Sequence, residues 1–126
     1  MDNSAENNGN RPYDLTVINA LCDNNPQFLE KLLLVFTENV IIDVAAIKTA
    51  ASEGNWSEAA KVAHKIKPSI SHFGIYSLKD VIRGLENYEN SNRQQLNLQV
   101  TELDAVINDV LLNLTQEFPE IFNKQG

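Results

Sequence analysis

The sequence predicts an all-α protein, an antiparallel four-helix bundle preceded by one short helix. Apolar residues recur every three or four positions through most of the chain, which is the spacing of helices that bury one face. Short polar segments separate these stretches, and no pair of stretches with alternating apolar residues predicts a β-hairpin. Helices joined by short connections pack as antiparallel neighbours, so we expect a bundle over residues 13–118.

The two ends of the chain are expected to lie outside the bundle. Residues 1–12 are polar, rich in Asn and closed by Pro12, so we interpret them as a flexible leader or interdomain linker. Pro119 is expected to end the regular structure, which makes residues 119–126 a C-terminal tail. The polar leader favours a module excised from a larger protein over a free-standing one.

A short first helix and a long second helix are predicted before residue 54. Asn25 followed by Pro26 is typical of a helix start, with an N-cap and a proline in the first turn. The second helix is expected to end near Glu53, because Gly54 readily adopts the left-handed conformation that follows a helix. The apolar residues at helical spacing are Leu15, Ile18, Leu21 and Cys22 in the first helix and Phe28, Leu32, Val35, Phe36, Val40, Ile41, Val44 and Ile47 in the second.

Capping patterns also mark the starts of the fourth and fifth helices. After Gly74, Ser77 with Asp80 is expected to open the fourth helix. The segment NYENSN breaks that helix, and Ser91 with Gln94 is expected to open the fifth. Their apolar faces comprise Leu78, Val81, Ile82 and Leu85 in the fourth helix and Leu96, Val100, Leu103, Val106, Ile107, Val110 and Leu114 in the fifth.

Charge is distributed unevenly along the chain. The net charge is −7, which argues against general nucleic-acid binding. Half of the ten basic residues nevertheless fall in one short stretch, which suggests an anionic partner or group there. A solvated helix face would give the same pattern. The basic residues of this stretch are Lys61, Lys65, Lys67, Lys79 and Arg83, opposed only by Asp80.

Targeting segments and disulfide frameworks are not indicated. No apolar run approaches the roughly 20 residues that cross a bilayer, and the N-terminus has no signal-peptide core, so a cytoplasmic location is expected. Cys22 is the only cysteine, which excludes an internal disulfide and a multi-cysteine zinc site. Because it lies on an apolar stripe, we expect Cys22 to be a packing residue.

The third helix carries two histidines outside its apolar face. Asn55 with Glu58 forms a predicted capping box at its start. At about 100° per residue, His64 falls about 120° from the middle of the apolar face. His72 lies about two turns further on and about 80° around from His64, so both are expected at the surface. The apolar face comprises Trp56, Ala59, Ala63, Ile66, Ile70 and Phe73.

His64 differs from His72 in its neighbours. Lys61 and Lys67 lie one turn away on either side of His64 and Lys65 is adjacent, whereas His72 has no lysine one turn away. Nearby ammonium groups disfavour the imidazolium form, so we expect His64 to be neutral and nucleophilic near pH 7. The same lysines could stabilise the anionic oxygens of a phosphoryl group. An exposed histidine is more often only a surface residue, and that alternative stays open.

Patterns for metal or nucleotide binding are not found. Histidines eight residues apart on a helix are about 12 Å apart along its axis, whereas metal ligands on one helix come three or four residues apart. The sequence has no Gly-rich phosphate loop, nucleophile elbow or kinase lysine motif. We therefore expect no metal, no cofactor and no phosphorylation from ATP, hence no enzyme in the usual sense.

The segment AHKIKPSISHFG, residues 63–74, resembles the signature of histidine-containing phosphotransfer (Hpt) domains of multistep two-component signalling. That signature has the form A-H-x-[LI]-K-G-x-x-x-x-x-G and is followed by a helix that ends near Leu-Glu. The likeness covers roughly residues 13–117 by helix order and is most specific over residues 54–86. The matching residues are Ala63, His64, Ile66, Lys67, Gly74, Leu85 and Glu86.

The resemblance implies roles for several residues around His64. His64 matches the phosphorylated histidine, and Lys67 matches the lysine that contacts the phosphoryl group. Glu86 lies where the family often has a polar residue that orients the site. Lys61 and Lys65 are expected to add supporting positive charge.

Three further positions are expected to affect packing or approach to the site. Gly74 matches a position where the chain packs or turns closely. Pro68 replaces the family's usual glycine, and it removes the hydrogen bond to the carbonyl of His64. We therefore expect the helix to bend or loosen at Pro68, which would either clear space for a partner or have no functional meaning. Ser71, one turn past Lys67, lies on the same side of the helix.

The resemblance implies a phosphoryl carrier. His64 would accept phosphate from a receiver-domain aspartate and pass it to another receiver, with Mg²⁺ supplied by the receiver. The implied partners are receiver domains, one of them in a hybrid histidine kinase, and contact with nucleic acid or membrane is not expected. A self-contained bundle leaves little apolar surface for dimerisation, so we expect a monomer. Ile18 and Lys61 are candidate contacts on the docking surface.

Two other functions stay open at this point. A helical adaptor could bind a receiver or signalling partner without being phosphorylated, and its binding would survive His64→Gln. A hydrolase with His64 as general base is less favoured, because the sequence places no paired carboxylate, serine or cysteine nucleophile beside it.

Overall fold

The computed structural model describes residues 11–123, and within them the fold is all-α, as predicted, with no β-strand. A 3-10 turn precedes the fourth helix and another follows it, at Tyr76–Leu78 and Tyr88–Asn90. The predicted leader lies outside the described residues, apart from Arg11 and Pro12. The helices are α1 (Thr16–Cys22), α2 (Pro26–Ser52), α3 (Trp56–His72), α4 (Lys79–Glu86), α5 (Arg93–Glu117) and α6 (Pro119–Phe122).

Helices α2 to α5 form a four-helix bundle. α2 packs against α3 and α5, and α4 packs against the same two helices from the opposite corner. The connections are short, so successive helices run antiparallel. α1 covers part of α2, and α6 packs against α5 and α2. As a result α3 is held between α2 and α4 with one face in solvent. No helix in the described residues is long and apolar enough to cross a membrane.

The core is a single cluster of apolar side chains drawn from every helix. The rings of Phe36 and Phe73 stack with centroids 4.1 Å apart, which ties α2 to the residue after α3. Burying a side chain of this kind contributes roughly 1.5–3 kcal/mol. The largest fully buried side chains are Leu33, Ile47, Ile75, Leu78, Ile82, Leu85, Leu103, Val110 and Leu114.

Some predicted core positions are wrong. Phe28, Val35 and Ile41 of α2 and Leu21 of α1 are exposed, whereas Leu33, which the predicted stripe omits, is fully buried. α2 is covered only where its neighbouring helices touch it. Apolar residues beside that contact strip therefore stay in solvent even though their spacing is helical.

The predicted N-caps of α2 and α3 are confirmed, but the full capping box expected at Asn55 is wrong, because the Asn55 N–H donates to the carbonyl of Ala50 at 2.8 Å and not to the Glu58 side chain. The Asn25 side chain accepts hydrogen bonds from the backbone N–H groups of Gln27 and Phe28, both at 3.0 Å. The Asn55 side chain accepts one from the N–H of Glu58 at 3.2 Å. These bonds satisfy N–H groups that have no partner within the helix.

The predicted caps of α4 and α5 are wrong. α4 begins at the end of a 3-10 turn with no side-chain cap, so Ser77 does not cap it. α5 is capped by Asn92, whose side chain accepts from the N–H of Gln95 at 2.8 Å, and not by Ser91. Asn is as good an N-cap as Ser, and Asn92 is the residue directly before the first helical residue, Arg93, so its side chain reaches the free N–H groups of the first turn.

The C-terminal segment continues the regular structure beyond the predicted end. α6 begins at Pro119, and its Ile121 is buried against the bundle. Proline is favoured in the first turn of a helix, so Pro119 starts a new helix where we expected a tail.

Gly74 brings the N-terminal segment onto the end of α3. Its φ is +64°, and a Cβ atom there would overlap the backbone of Asp14, whose N–H donates to the carbonyl of Phe73 at 3.1 Å. The close packing expected at Gly74 is therefore present. The hydroxyl of Tyr13, the residue before Asp14, donates a hydrogen bond to Glu117 of α5 at 2.6 Å. The segment thus joins the ends of two bundle helices.

Candidate functional site

His64 lies in the middle of α3 with its side chain 76% exposed. Ala63 and Ile66 beside it are buried, so the helix presents its apolar face to the bundle and the imidazole to solvent, as its periodicity predicts. The ring borders a shallow hollow between α3 and the end of α4. The other residues that line the hollow are Ser57, Ala60, Lys61, Glu86 and Tyr88.

Glu86, the last residue of α4, contacts two side chains of α3. Its Oε2 is 2.6 Å from Nδ1 of His64, and its Oε1 accepts a hydrogen bond from Nζ of Lys67 at 3.2 Å. An ionised carboxylate can only accept, so the imidazole proton lies on Nδ1. In the neutral ring the free lone pair is then on Nε2, the nitrogen that Glu86 does not hold.

The charge of Glu86 is set by these contacts. Partial burial, the largest influence, would raise the pKa of Glu86, but its hydrogen bonds with His64 and Lys67 and the charges of both groups together lower it below its ordinary value. Glu86 is therefore ionised at neutral pH. Its carboxylate lies between the ammonium of Lys67 and the imidazole. The sequence suggested that His64 has only positive neighbours, whereas the structure places this negative charge next to it.

The three lysines near His64 have different surroundings. Lys61 lines the hollow, and Lys67 contacts Glu86. Lys65 instead forms an ion pair across to α2, with its Nζ 3.1 Å from Oδ1 of the buried Asp43. Neighbours in a helical sequence point about 100° apart, so the structure does not bring Lys65 to the hollow.

Pro68 lies within α3, and the helix continues beyond it to His72. The predicted loosening therefore does not interrupt the helix. Pro68 is exposed, as expected, and Ser71 lies one turn past Lys67 in a second groove between α3 and α4. His72 is exposed at the end of α3, outside the lining of the hollow.

The docking contact expected at Ile18 is wrong. Ile18 is only 2% exposed, because α1 turns this residue onto the bundle. Cys22 is buried one turn further along, in agreement with a packing role. Within residues 11–123 no group of three or more His, Cys, Asp or Glu side chains is placed to hold a metal ion.

Sequence reasoning missed Asp43, the buried partner of Lys65. A signal was present, because an aspartate between Val40 and Val44 interrupts the apolar face of α2. The resemblance implied that Glu86 orients the site, and the structure does place it against His64, but the sequence did not indicate that the same carboxylate also contacts Lys67. Glu86 is 22 residues from His64 in sequence, and no local pattern connects the two positions.

Comparison with known proteins gives one family match. The family described as "Hpt domain" matches residues 31–118, which is well over half of the chain and includes α3 and α4. No curated protein and no solved structure matches the chain.

Proposed function

The chain belongs to the Hpt domain family, and we propose that it carries a phosphoryl group on His64 from one receiver domain to another. Hpt domains are phosphotransfer modules of phosphorelays that interact with receiver domains, and they are not kinases. The finer parts of the proposal are the residue that is phosphorylated, the residues that assist it, and the direction of transfer.

The observation that carries the proposal is the contact between His64 and Glu86. A nucleophilic imidazole needs one nitrogen with a free lone pair facing the donor. The carboxylate keeps the proton on Nδ1 and limits rotation of the ring, so Nε2 is available on the exposed side. Holding a reactive nitrogen in one orientation lowers the entropic cost of reaching the in-line geometry.

Transfer needs no proton donor or acceptor from solvent. Nε2 attacks the phosphorus of a receiver's aspartyl phosphate, the N–P bond forms, and the P–O bond to the aspartate breaks. The aspartate leaves with the electron pair as a carboxylate. The Nδ1 proton stays in place, and the positive charge that develops on the ring is stabilised by Glu86. Passing the phosphoryl group to a second receiver is the reverse of these steps.

Lys67 is placed to offset charge on the transferred group. Lys67 is three residues past His64, and its Nζ contacts Glu86. Because its side chain is 58% exposed, the ammonium can turn from the carboxylate toward a phosphoryl group on Nε2. Lys61 on the rim of the same hollow adds a second positive charge. The receiver supplies the Mg²⁺ that its own aspartyl phosphate requires.

The remaining parts of the proposal concern context. The partners are receiver domains, one of them part of a hybrid histidine kinase. The chain acts as a cytoplasmic monomer, which is consistent with a bundle whose core is drawn from its own helices.

The test is transfer of label from a phosphorylated receiver to wild type, His64→Gln and His72→Gln. We expect label on wild type and on His72→Gln and none on His64→Gln. Label on all three would show that another residue is the acceptor. Receiver binding without label on any variant would instead support a non-phosphorylated adaptor.

A further inference from the structure

A second groove lies between α3 and α4, next to the hollow at His64. We call it the basic groove, and it has a volume of about 380 Å³. Three basic residues, Lys67, Lys79 and Arg83, line it together with the isoleucines Ile70, Ile75 and Ile82, which are buried in the core. Tyr76, which is 64% exposed, also lines the groove, so the groove combines an accessible aromatic side chain with a positively charged rim.

Two of the three rim cations, Lys79 and Arg83, are available to a partner, whereas Lys67 already contacts Glu86. Lys79 forms no ion pair with any described residue, and Arg83 lies 3.5 Å from Asp80 in a pair whose members are both exposed. Exposed pairs of this kind contribute little and exchange readily with other partners. The net charge of the whole chain is −7, so the groove is a locally basic region of an acidic protein.

The basic groove is continuous with the phosphorylation site. His64, Lys67 and Ser71 lie on successive turns of α3, and seven residues of helix span only about 10 Å. Lys67 belongs to both places, since it contacts Glu86 and also lines the groove. A folded partner that brings an aspartate to Nε2 of His64 therefore also lies over the groove.

We propose that the basic groove is a docking site for the receiver domain, which places an apolar side chain against the exposed ring of Tyr76 and neighbouring carboxylates against Lys79 and Arg83. This inference rests on the proposed function. Charge complementarity favours this occupant, because Lys79 has no ion-pair partner among the described residues and the Arg83–Asp80 pair is exposed, so both can meet the carboxylates of an acidic partner segment. Such contacts mainly speed association and depend strongly on salt.

The test compares two variants that lose the same charge. Lys79→Gln/Arg83→Gln changes the rim of the groove. Lys48→Gln/Arg93→Gln is the matched control, because Lys48 pairs with Asp104 of α5 and Arg93 begins α5, so neither lines the groove. Purified receiver domains are phosphorylated with acetyl phosphate, and the excess acetyl phosphate is then removed. Each receiver is tested for its rate of phosphoryl transfer to the wild-type protein, and the fastest donor is used. Phosphoramidate serves as a small donor that needs no docking.

At receiver concentrations below saturation, we expect the groove variant to lose about tenfold in transfer rate, with a weaker dependence on salt, and the control to stay within about twofold of wild type. All three proteins should be labelled equally by phosphoramidate.

Equal receiver transfer by the groove and control variants would overturn the docking site and leave the carrier function intact. A loss of phosphoramidate labelling in the groove variant would also overturn it, since the residues would then act on His64 or on folding. If phosphoramidate labels wild type but no receiver does, the carrier function and the docking site both fail.

Discussion

Glu86 uses both carboxylate oxygens to join His64 and Lys67, with Oε2 2.6 Å from the imidazole Nδ1 and Oε1 3.2 Å from the ammonium Nζ. The three side chains come from two helices that pack against each other, so their geometry is set by the contact between α3 and α4.

Removal of the Glu86 carboxylate should slow phosphoryl transfer. A hydrogen bond to a charged group is worth about 1.5–3 kcal/mol, so we expect Glu86→Ala to lose about ten- to hundredfold in rate. Glu86→Gln keeps an oxygen that can accept from Nδ1 and should lose less. The measurement is the initial rate of label transfer from a phosphorylated receiver. Transfer by Glu86→Ala at the wild-type rate would show that the contact does not orient the imidazole.

Stability should depend on pH through Glu86. Its pKa is lowered in the folded protein, so its contribution is complete above the ordinary glutamate pKa of about 4.3 and is lost as pH falls through the folded-state value. Urea unfolding of wild type and Glu86→Gln between pH 7 and pH 3 measures this contribution. The difference in unfolding free energy should shrink as pH falls below the ordinary value. A difference that does not change with pH would contradict the lowered pKa.

Lys67 and Lys65 should have separate effects although they are two residues apart. Lys67→Ala removes the ammonium next to the phosphoryl site, so we expect a loss of about ten- to hundredfold in transfer rate. Lys65→Ala removes the partner of the buried Asp43 and should reduce the unfolding free energy by about 1 kcal/mol with little effect on transfer. Transfer assays and urea unfolding on both variants check the separation. A transfer defect in Lys65→Ala equal to that of Lys67→Ala would refute it.

Gly74→Ala should destabilise the protein more than Gly54→Ala. Both glycines have positive φ, +64° and +70°, so each substitution is expected to cost about 1 kcal/mol in backbone strain. At Gly74 a Cβ would also overlap the backbone of Asp14, whereas at Gly54 its nearest neighbour is the Arg93 side chain, 4.0 Å away. Urea unfolding of the two variants measures the difference. Equal losses of unfolding free energy would mean that the N-terminal segment at Asp14 can shift to accommodate the added Cβ without destabilising the protein.

Pro68→Ala should stabilise α3. The helix continues through Pro68, and alanine restores an N–H that can donate to the carbonyl of His64, so we expect a gain of about 1–3 kcal/mol in unfolding free energy. Thermal or urea unfolding checks the gain. Transfer assays on the same variant test whether Pro68 aids approach to His64: a slower rate would support that role, and an unchanged rate would assign Pro68 to the helix alone.

Much of the fold could be predicted because its causes are local. The spacing of apolar residues predicts each of the bundle helices, and Asn25 and Asn55 predict two helix starts, since a cap acts within three residues. The exposure of His64 follows from the same periodicity. Errors arose where two local patterns competed, as at Ser91 and Asn92, or where burial depended on a neighbouring helix, as at Val35.

The sequence by itself therefore determined the helices, the exposed position of His64 and its likeness to a phosphorylated histidine. Only the tertiary structure decided which charges meet. It sends Lys65 to Asp43 on α2, places Glu86 between His64 and Lys67, and opens the basic groove between α3 and α4. The physical reason is range: helical periodicity relates residues three or four apart, whereas contacts between helices depend on how each helix is rotated and packed in the bundle.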